Sequence, residues 1–145
     1  MDNGSSDGSA EALAAEFSGA VRVLYEPRRG VSHARNLGIE HARGDLLAFI
    51  DDDARARPDW LARILACVSE TGARGVGGPT LADWEAPPPP LFLGSSKALS
   101  YAGVFSLGES RRRLSGPRDF LIGANCAFHR AVFEEGHRFR PPAWG

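Results

Sequence analysis

The sequence predicts an α/β fold with a mostly parallel central sheet. Three observations carry this expectation. Strand-like and helix-like segments alternate along residues 21–78, which is the order of an α/β sheet. Leu46 to Ile50 form an unbroken apolar run, the composition of a strand covered on both faces. Three consecutive acids, Asp51, Asp52 and Asp53, follow that run, where open α/β sheets bind ligands beyond the carboxyl ends of their strands.

The elements follow in order. "DNGSSDGS" is turn chemistry, and Ser9 is placed to cap a short helix with Glu11 in its first turn and Leu13 and Phe17 on one face. "VRVLYE", Val21 to Glu26, reads as a short strand closed by Pro27. Ser32 to about Ala42 suits a helix, with Gly44 beyond its end. After the acids, Pro58 suits the first turn of a second helix, and Trp60, Leu61, Ile64, Leu65 and Val68 form its apolar stripe up to Gly72. "GVGG", Gly75 to Gly78, reads as a further strand. "DWEAPPPPLFLG" reads as an extended connector, "KALSYAGVFSLG" as the holder of an edge strand, and "ESRRRLSGPR" as a polar, basic stretch. A strand at Phe120 to Ile122, a Gly-Ala-Asn corner and a helix from about Arg130 complete the series.

Composition narrows the function. The 145 residues suffice for one modest domain, and a formal net charge of −1 gives no broad attraction to nucleic acid. Lys97 is the only lysine, and Cys67 and Cys126 lack metal-ligand spacing. No run of residues is long and apolar enough to span a bilayer, and the N-terminus lacks the layout of a signal peptide. These features point to the cytoplasm and leave open a peripheral attachment at the inner membrane face.

Adjacent carboxylates repel one another unless a cation compensates them. Mg²⁺ or Mn²⁺ takes one or two protein carboxylates and leaves its other positions to water and phosphate oxygens, so the acids point to a polyphosphate ligand. The plainer reading is that Asp51 to Asp53 cap the helix near Pro58. "RGVSHARNLGIEHARGD" places free backbone N–H groups after a glycine, with Arg35 within reach of a phosphate or a base and His33 near enough to add a hydrogen bond. Its plainer reading is a solvated amphipathic helix. "GAN", Gly123 to Asn125, is a bend that presents Asn125 to a cleft.

Together these stretches resemble a family 2 glycosyltransferase, the inverting group with the GT-A fold. "MDNGSSDGSAEAL" is similar to that family's "VDDGSTDGT" turn. "RGVSHARNLGIEHARGDLLAFIDDDARARPDWL" resembles its longest signature, and "FLIGANCAFHRAVFEE" its later segment. The resemblance implies a partial GT-A, Rossmann-like three-layer sandwich with its first strands missing. It implies one incomplete domain over 1–145, with residues 1–80 binding nucleotide-sugar, 81–118 forming a Pro-rich connector and variable region, and 119–145 beginning the acceptor-binding part. By resemblance, Asp2 and Asn3 line the nucleotide base and ribose, and Arg35 faces the base or the diphosphate. Asp51 approaches the ribose and shares the metal with Asp53, the principal ligand, with Asp52 beside it. Gly123, Ala124 and Asn125 form the acceptor side. Asn3 stands where the family usually has a second Asp, with UDP or dTDP as the leading nucleotide.

The implied reaction transfers a sugar from a UDP- or dTDP-donor to a saccharide, lipid-linked or other hydroxyl acceptor with inversion, with Mn²⁺ or Mg²⁺ as cofactor. The resemblance also implies truncation at both ends. The catalytic base is expected beyond Gly145, Glu134 and Glu135 come too early to be assigned, and the chain alone is expected to be inactive. Two alternatives stand beside this reading. One is a HAD-like phosphohydrolase, which wants Thr or Val where Arg55 stands. The other is a degenerate domain that binds nucleotide or a partner without catalysis.

Overall fold

The computed structural model describes residues 1–116 and 119–141. The end of the basic stretch at 117–118 and the last four residues of "EEGHRFRPPAWG" lie outside the described residues. The elements are α1 (Ser9–Glu16), α2 (Val31–His41), β1 (Leu46–Ile50), α3 (Trp60–Thr71), β2 (Gly75–Gly77), a 3₁₀ turn (Pro90–Phe92), α4 (Ser96–Tyr101), β3 (Asn125–His129) and α5 (Arg130–Glu134). They form two compact units, Met1–Leu47 with Arg130–Gly145, and Ala48–His129. No helix among the described residues is long and apolar enough to cross a membrane.

The strands lie in the order β1-β3-β2. β3 runs antiparallel to β2, with Gly75 opposite Phe128, Val76 opposite Ala127 and Gly77 opposite Cys126. The class is mixed α/β, as expected of a partial GT-A domain, but this pair departs from the expected mostly parallel sheet. Parallel neighbours need a crossover of a dozen or more residues, and the segment between β2 and β3 is long enough to allow either direction. The glycines of β2 permit the pairing. A Cβ on Gly75 would stand 3.0 Å from the Phe128 ring, and one on Gly77 3.0 Å from both Leu121 and the Asn125 carbonyl. Val76 is buried on β2, α3 packs on that strand, and Ile64, Phe49, Cys126 and Ala127 complete the core of this unit. Phe49 meets Phe128 edge-on at 6.4 Å.

Several sequence expectations shift here. On α3, Ile64 is buried and Trp60 and Val68 are half-buried, but Leu61 and Leu65 are 55% and 57% exposed. A three-residue strand supports one i, i+4 line of the helix, here Trp60, Ile64 and Val68, and leaves the adjacent line uncovered. α3 begins at Trp60, two residues after Pro58, and ends as expected at Gly72, whose φ of 65° is left-handed. Val21–Glu26 pairs only through one parallel bridge, Asp2 to Tyr25, flanked by Asp2 N–H to Leu24 O (2.8 Å) and Glu26 N–H to Asp2 O (2.9 Å). Phe120–Ile122 is irregular, and the strand begins only after the Gly123–Ala124 turn. The "KALSYAGVFSLG" stretch opens as α4, because Ser95 Oγ accepts from the Ala98 N–H at 3.2 Å and Lys, Ala and Leu favour helix. Its strand character reduces to one bridge, Phe105 to Thr80.

In the other unit, α2 forms over nearly the span expected. Two of its polar residues bind the segment beyond α5. Asn36 Nδ2 donates to Phe139 O (2.9 Å) while its Oδ1 accepts from Phe139 N–H (3.0 Å), and the Ser32 hydroxyl donates to Arg140 O (3.0 Å). The Arg130 guanidinium donates to Ala42 O (2.8 Å) and Gly44 O (2.6 Å), covering carbonyls left open at the end of α2. Ala34, Ile39, Leu47 and Phe133 are buried in this unit.

Two predictions follow from this packing. Ile64→Ala should lower stability by about 2–5 kcal/mol in denaturant unfolding, as buried large-to-small changes do. Leu65→Ala should stay within about 0.5 kcal/mol of the parent, because surface changes usually do. The second prediction concerns Glu26, which is buried and accepts from Arg28 through its N–H (2.9 Å), Nε (2.8 Å) and Nη2 (2.7 Å). Those bonds lower its carboxyl from 4.5 to about 2. A depressed folded-state value adds stability that is complete above the unfolded value and is lost as pH falls towards the folded one. Glu26→Gln should therefore flatten the acid limb of a stability profile between about pH 4.5 and 2.

Candidate functional site

The acidic loop belongs to the unit Ala48–His129. Asp51 is half-buried directly after β1, and Asp52 and Asp53 are exposed in the turn that the Ala54 N–H closes on the Asp51 carbonyl (3.1 Å). Neighbouring arginines are directed elsewhere. Arg55 lies 3.6 Å from Asp83, and Arg57 and Arg63 lie 3.5 and 2.5 Å from Asp59. Asp52 and Asp53 have no hydrogen bond or ion pair with a described residue. The capping alternative loses its footing, because α3 starts at Trp60 with Asp59 as its flanking residue.

Among the described residues, no three His, Cys, Asp or Glu side chains gather as a closed cage for a metal ion. The donor set fits the open kind of site instead. Mg²⁺ binds through one or two carboxylates and completes its shell with water and phosphate, and hard oxygen donors suit Mn²⁺ equally. Asp53 and Asp51, with Asp52 between them, are carboxylates of that type.

The far end of the loop is anchored. Asp59 accepts from Arg63 Nε, and that bond holds its carboxyl below the usual range. The Trp60 indole Nε1–H donates to Asn125 Oδ1 at 2.8 Å, and Asn125 Nδ2 donates to Pro79 O at 2.9 Å. Gly123 and Ala124 form the half-buried turn before β3, where the Asn125 N–H reaches Ile122 O (3.2 Å). The "GAN" corner thus turns its asparagine towards α3 and the residue after Gly78.

Asp2, Asn3 and Arg35 belong to the other unit. Asp2 is buried, and its carboxylate accepts from the Ser5 N–H (3.1 Å). Ser5, through its hydroxyl first and its N–H second, holds that carboxyl below the usual range. Asn3 Nδ2 donates to Glu26 O (2.9 Å) and Arg28 O (2.7 Å), and its Oδ1 accepts from the Gly30 N–H (2.8 Å). The structure brings Asp2 and Asn3 together around the 26–30 loop. Arg35, on α2, lies over the Phe139 ring at 5.4 Å.

Sequence reasoning passed over Glu26, Asn36 and Arg130, and read Trp60 only as part of an apolar stripe. A weak signal existed for some. A carboxylate two residues before an arginine, as in "EPRR", permits a forked pair, and Asn between Arg and Leu in a helix asks for a partner for its amide. Nothing local indicated that Trp60 and Asn125 would meet.

Comparisons with known proteins identify the family. The family model described as "Glycosyl transferase family 2" matches residues 1–136. The succinoglycan biosynthesis protein ExoM of Rhizobium meliloti is 36% identical over 101 residues, covering 70% of this chain and 32% of its own length. The glucosyl-dolichyl phosphate glucuronosyltransferase of Haloferax volcanii is 33% identical over 121 residues, covering 83% of this chain and 37% of its own length. The undecaprenyl-phosphate 4-deoxy-4-formamido-L-arabinose transferase of Klebsiella pneumoniae is 38% identical over 74 residues, covering 48% of this chain and 23% of its own length. The chain therefore spans roughly a third of the first two relatives. No solved structure matches it. With nearly the whole chain inside the family match, an exposed acidic turn after an apolar strand and a "GAN" corner anchored in the same unit, this protein belongs to glycosyl transferase family 2.

Proposed function

We propose that the chain forms the donor-binding part of a metal-dependent, inverting glycosyltransferase that takes a UDP- or dTDP-sugar. The observation that carries this reading is the acidic turn, where Asp52 and Asp53 stand exposed and without a cationic partner among the described residues, within the family match. Asp53, with Asp51, would hold Mn²⁺ or Mg²⁺, which when bound supplies charge compensation for a departing diphosphate. Asp51 approaches the ribose and Asp52 supports the turn. Asp2, held by Ser5, shapes the backbone beside the base, and Arg35 offers a cation to the base or the diphosphate. Gly123 and Ala124 give the acceptor side a narrow backbone wall.

The acceptor is a hydroxyl-bearing saccharide or a lipid-linked group. The names of two relatives, which carry a dolichyl phosphate and an undecaprenyl phosphate, favour a lipid-linked substrate. Such a substrate fits work at the cytoplasmic face of a membrane. The phosphohydrolase alternative has no observation in its favour.

Two measurements test this reading on the full chain. Calorimetry with Mn²⁺ should detect UDP or dTDP binding that Asp53→Ala abolishes, and equal affinity in the variant would refute the metal role. The second measurement concerns Asn3. Its two donated bonds to Glu26 O and Arg28 O need an amide, so Asn3→Asp would set a carboxylate against two carbonyl oxygens. Asn3→Asp should loosen the 26–30 loop, seen as faster hydrogen exchange at Gly30, and weaken UDP binding. A gain in UDP affinity would instead make this side chain a direct reader of the base.

A further inference from the structure

We propose that Asn125 is a positioning residue for the acidic loop, acting through Trp60, rather than a residue that meets the acceptor. This inference rests on the metal–nucleotide reading of Asp51 to Asp53. The relevant residues all belong to one compact unit. The loop 51–59 is bounded on one side by β1 and on the other by Trp60, the first residue of α3. Within it the described backbone bonds are local, Ala54 N–H to Asp51 O (3.1 Å) and, at its exit, Trp60 N–H to Arg57 O (3.0 Å). Neither bond fixes where the loop as a whole stands. The bond from Trp60 Nε1 to Asn125 Oδ1 does, because it ties the exit of the loop to the first residue of β3 (2.8 Å).

The asparagine is itself fixed from the other side. Nδ2 donates to Pro79 O (2.9 Å), and the Gly78 N–H donates to the Asn125 carbonyl (3.2 Å). The Asn125 amide is thus a brace, with its acceptor on α3 and its donor on the segment after β2. An amide is needed, since one end must accept and the other donate. Gly78 makes room for it. A Cβ there would come 2.8 Å from Nδ2, and Gly78 has no positive φ, so its lack of a side chain answers to Asn125 rather than to backbone conformation. A loop held at both ends samples fewer conformations, and carboxylates already held in position bind a cation with less ordering to do.

The test uses the full chain and the variants Asn125→Ala, Trp60→Phe and their combination. Gly78→Ala perturbs the brace without removing either partner, and Val76→Ala weakens the core without touching either side-chain bond of the brace. Two readouts are taken below the unfolding range of every variant. One is amide hydrogen exchange over residues 51–59 without metal, and the other is Mn²⁺ affinity from the paramagnetic resonance of free Mn²⁺. Each brace variant should speed exchange across 51–59 and weaken Mn²⁺ binding about 10–100-fold, the range for residues that orient metal ligands. The double variant should be no weaker than Asn125→Ala alone, because Trp60→Phe breaks only a bond that Asn125→Ala already removes. Val76→Ala should lower the melting temperature and leave both readouts near the parent. Faster exchange in a chain that binds no Mn²⁺ would uphold the brace and overturn only the metal reading. Native exchange and native Mn²⁺ affinity in Asn125→Ala would overturn the brace.

Discussion

A strand in the middle of a sheet must find hydrogen-bond partners on both edges, and β3 is that strand. Its Cys126 and Ala127 are 1% and 0% exposed, the most enclosed residues of the core. Small side chains suit this place, since β3 has to fit between β1 and β2. The glycines of β2 belong to the same constraint, because Phe128, Leu121 and Asn125 occupy the space their side chains would take. Lengthening any of these side chains would push against backbone or packed rings, which is costly in a close-packed interior.

Asparagine amides perform related tasks in three places. Asn3 closes the 26–30 loop, Asn36 pairs with the backbone of Phe139 as a strand would, and Asn125 joins Trp60 to Pro79. Each uses a donor and an acceptor at once, which neither a carboxylate nor a hydroxyl of fixed orientation can match at such short reach. In a chain with short strands, these side chains take over bonds that longer ladders would otherwise supply. All three stand in the stretches that carry the family resemblance.

The charges divide in a way that bears on the site. Arginines pair with Glu26, Asp59, Glu70 and Asp119, mostly at the surface, where such pairs add little stability. Asp52 and Asp53 are passed over by these pairs. A turn that keeps two adjacent carboxylates exposed while nearby arginines engage other acids holds negative potential at one point of the surface.

The sequence by itself determined the helices α2 and α3, the apolar strand β1, the acids at its end and the family. Local periodicity, a glycine stop at Gly72 and a motif of fixed spacing are written in neighbouring residues, so they survive without knowledge of the partners. Tertiary structure decided the rest. It placed the last strand at Asn125–His129 rather than Phe120–Ile122, reversed it against β2, and reduced Val21–Glu26 to a single bridge. It also left Leu61 and Leu65 exposed and joined Trp60 to Asn125, 65 positions away. The physical reason is common to all of these. Strand pairing, the width of the covered helix face and the partner of a buried amide depend on residues distant in the chain, whose arrival no local pattern encodes.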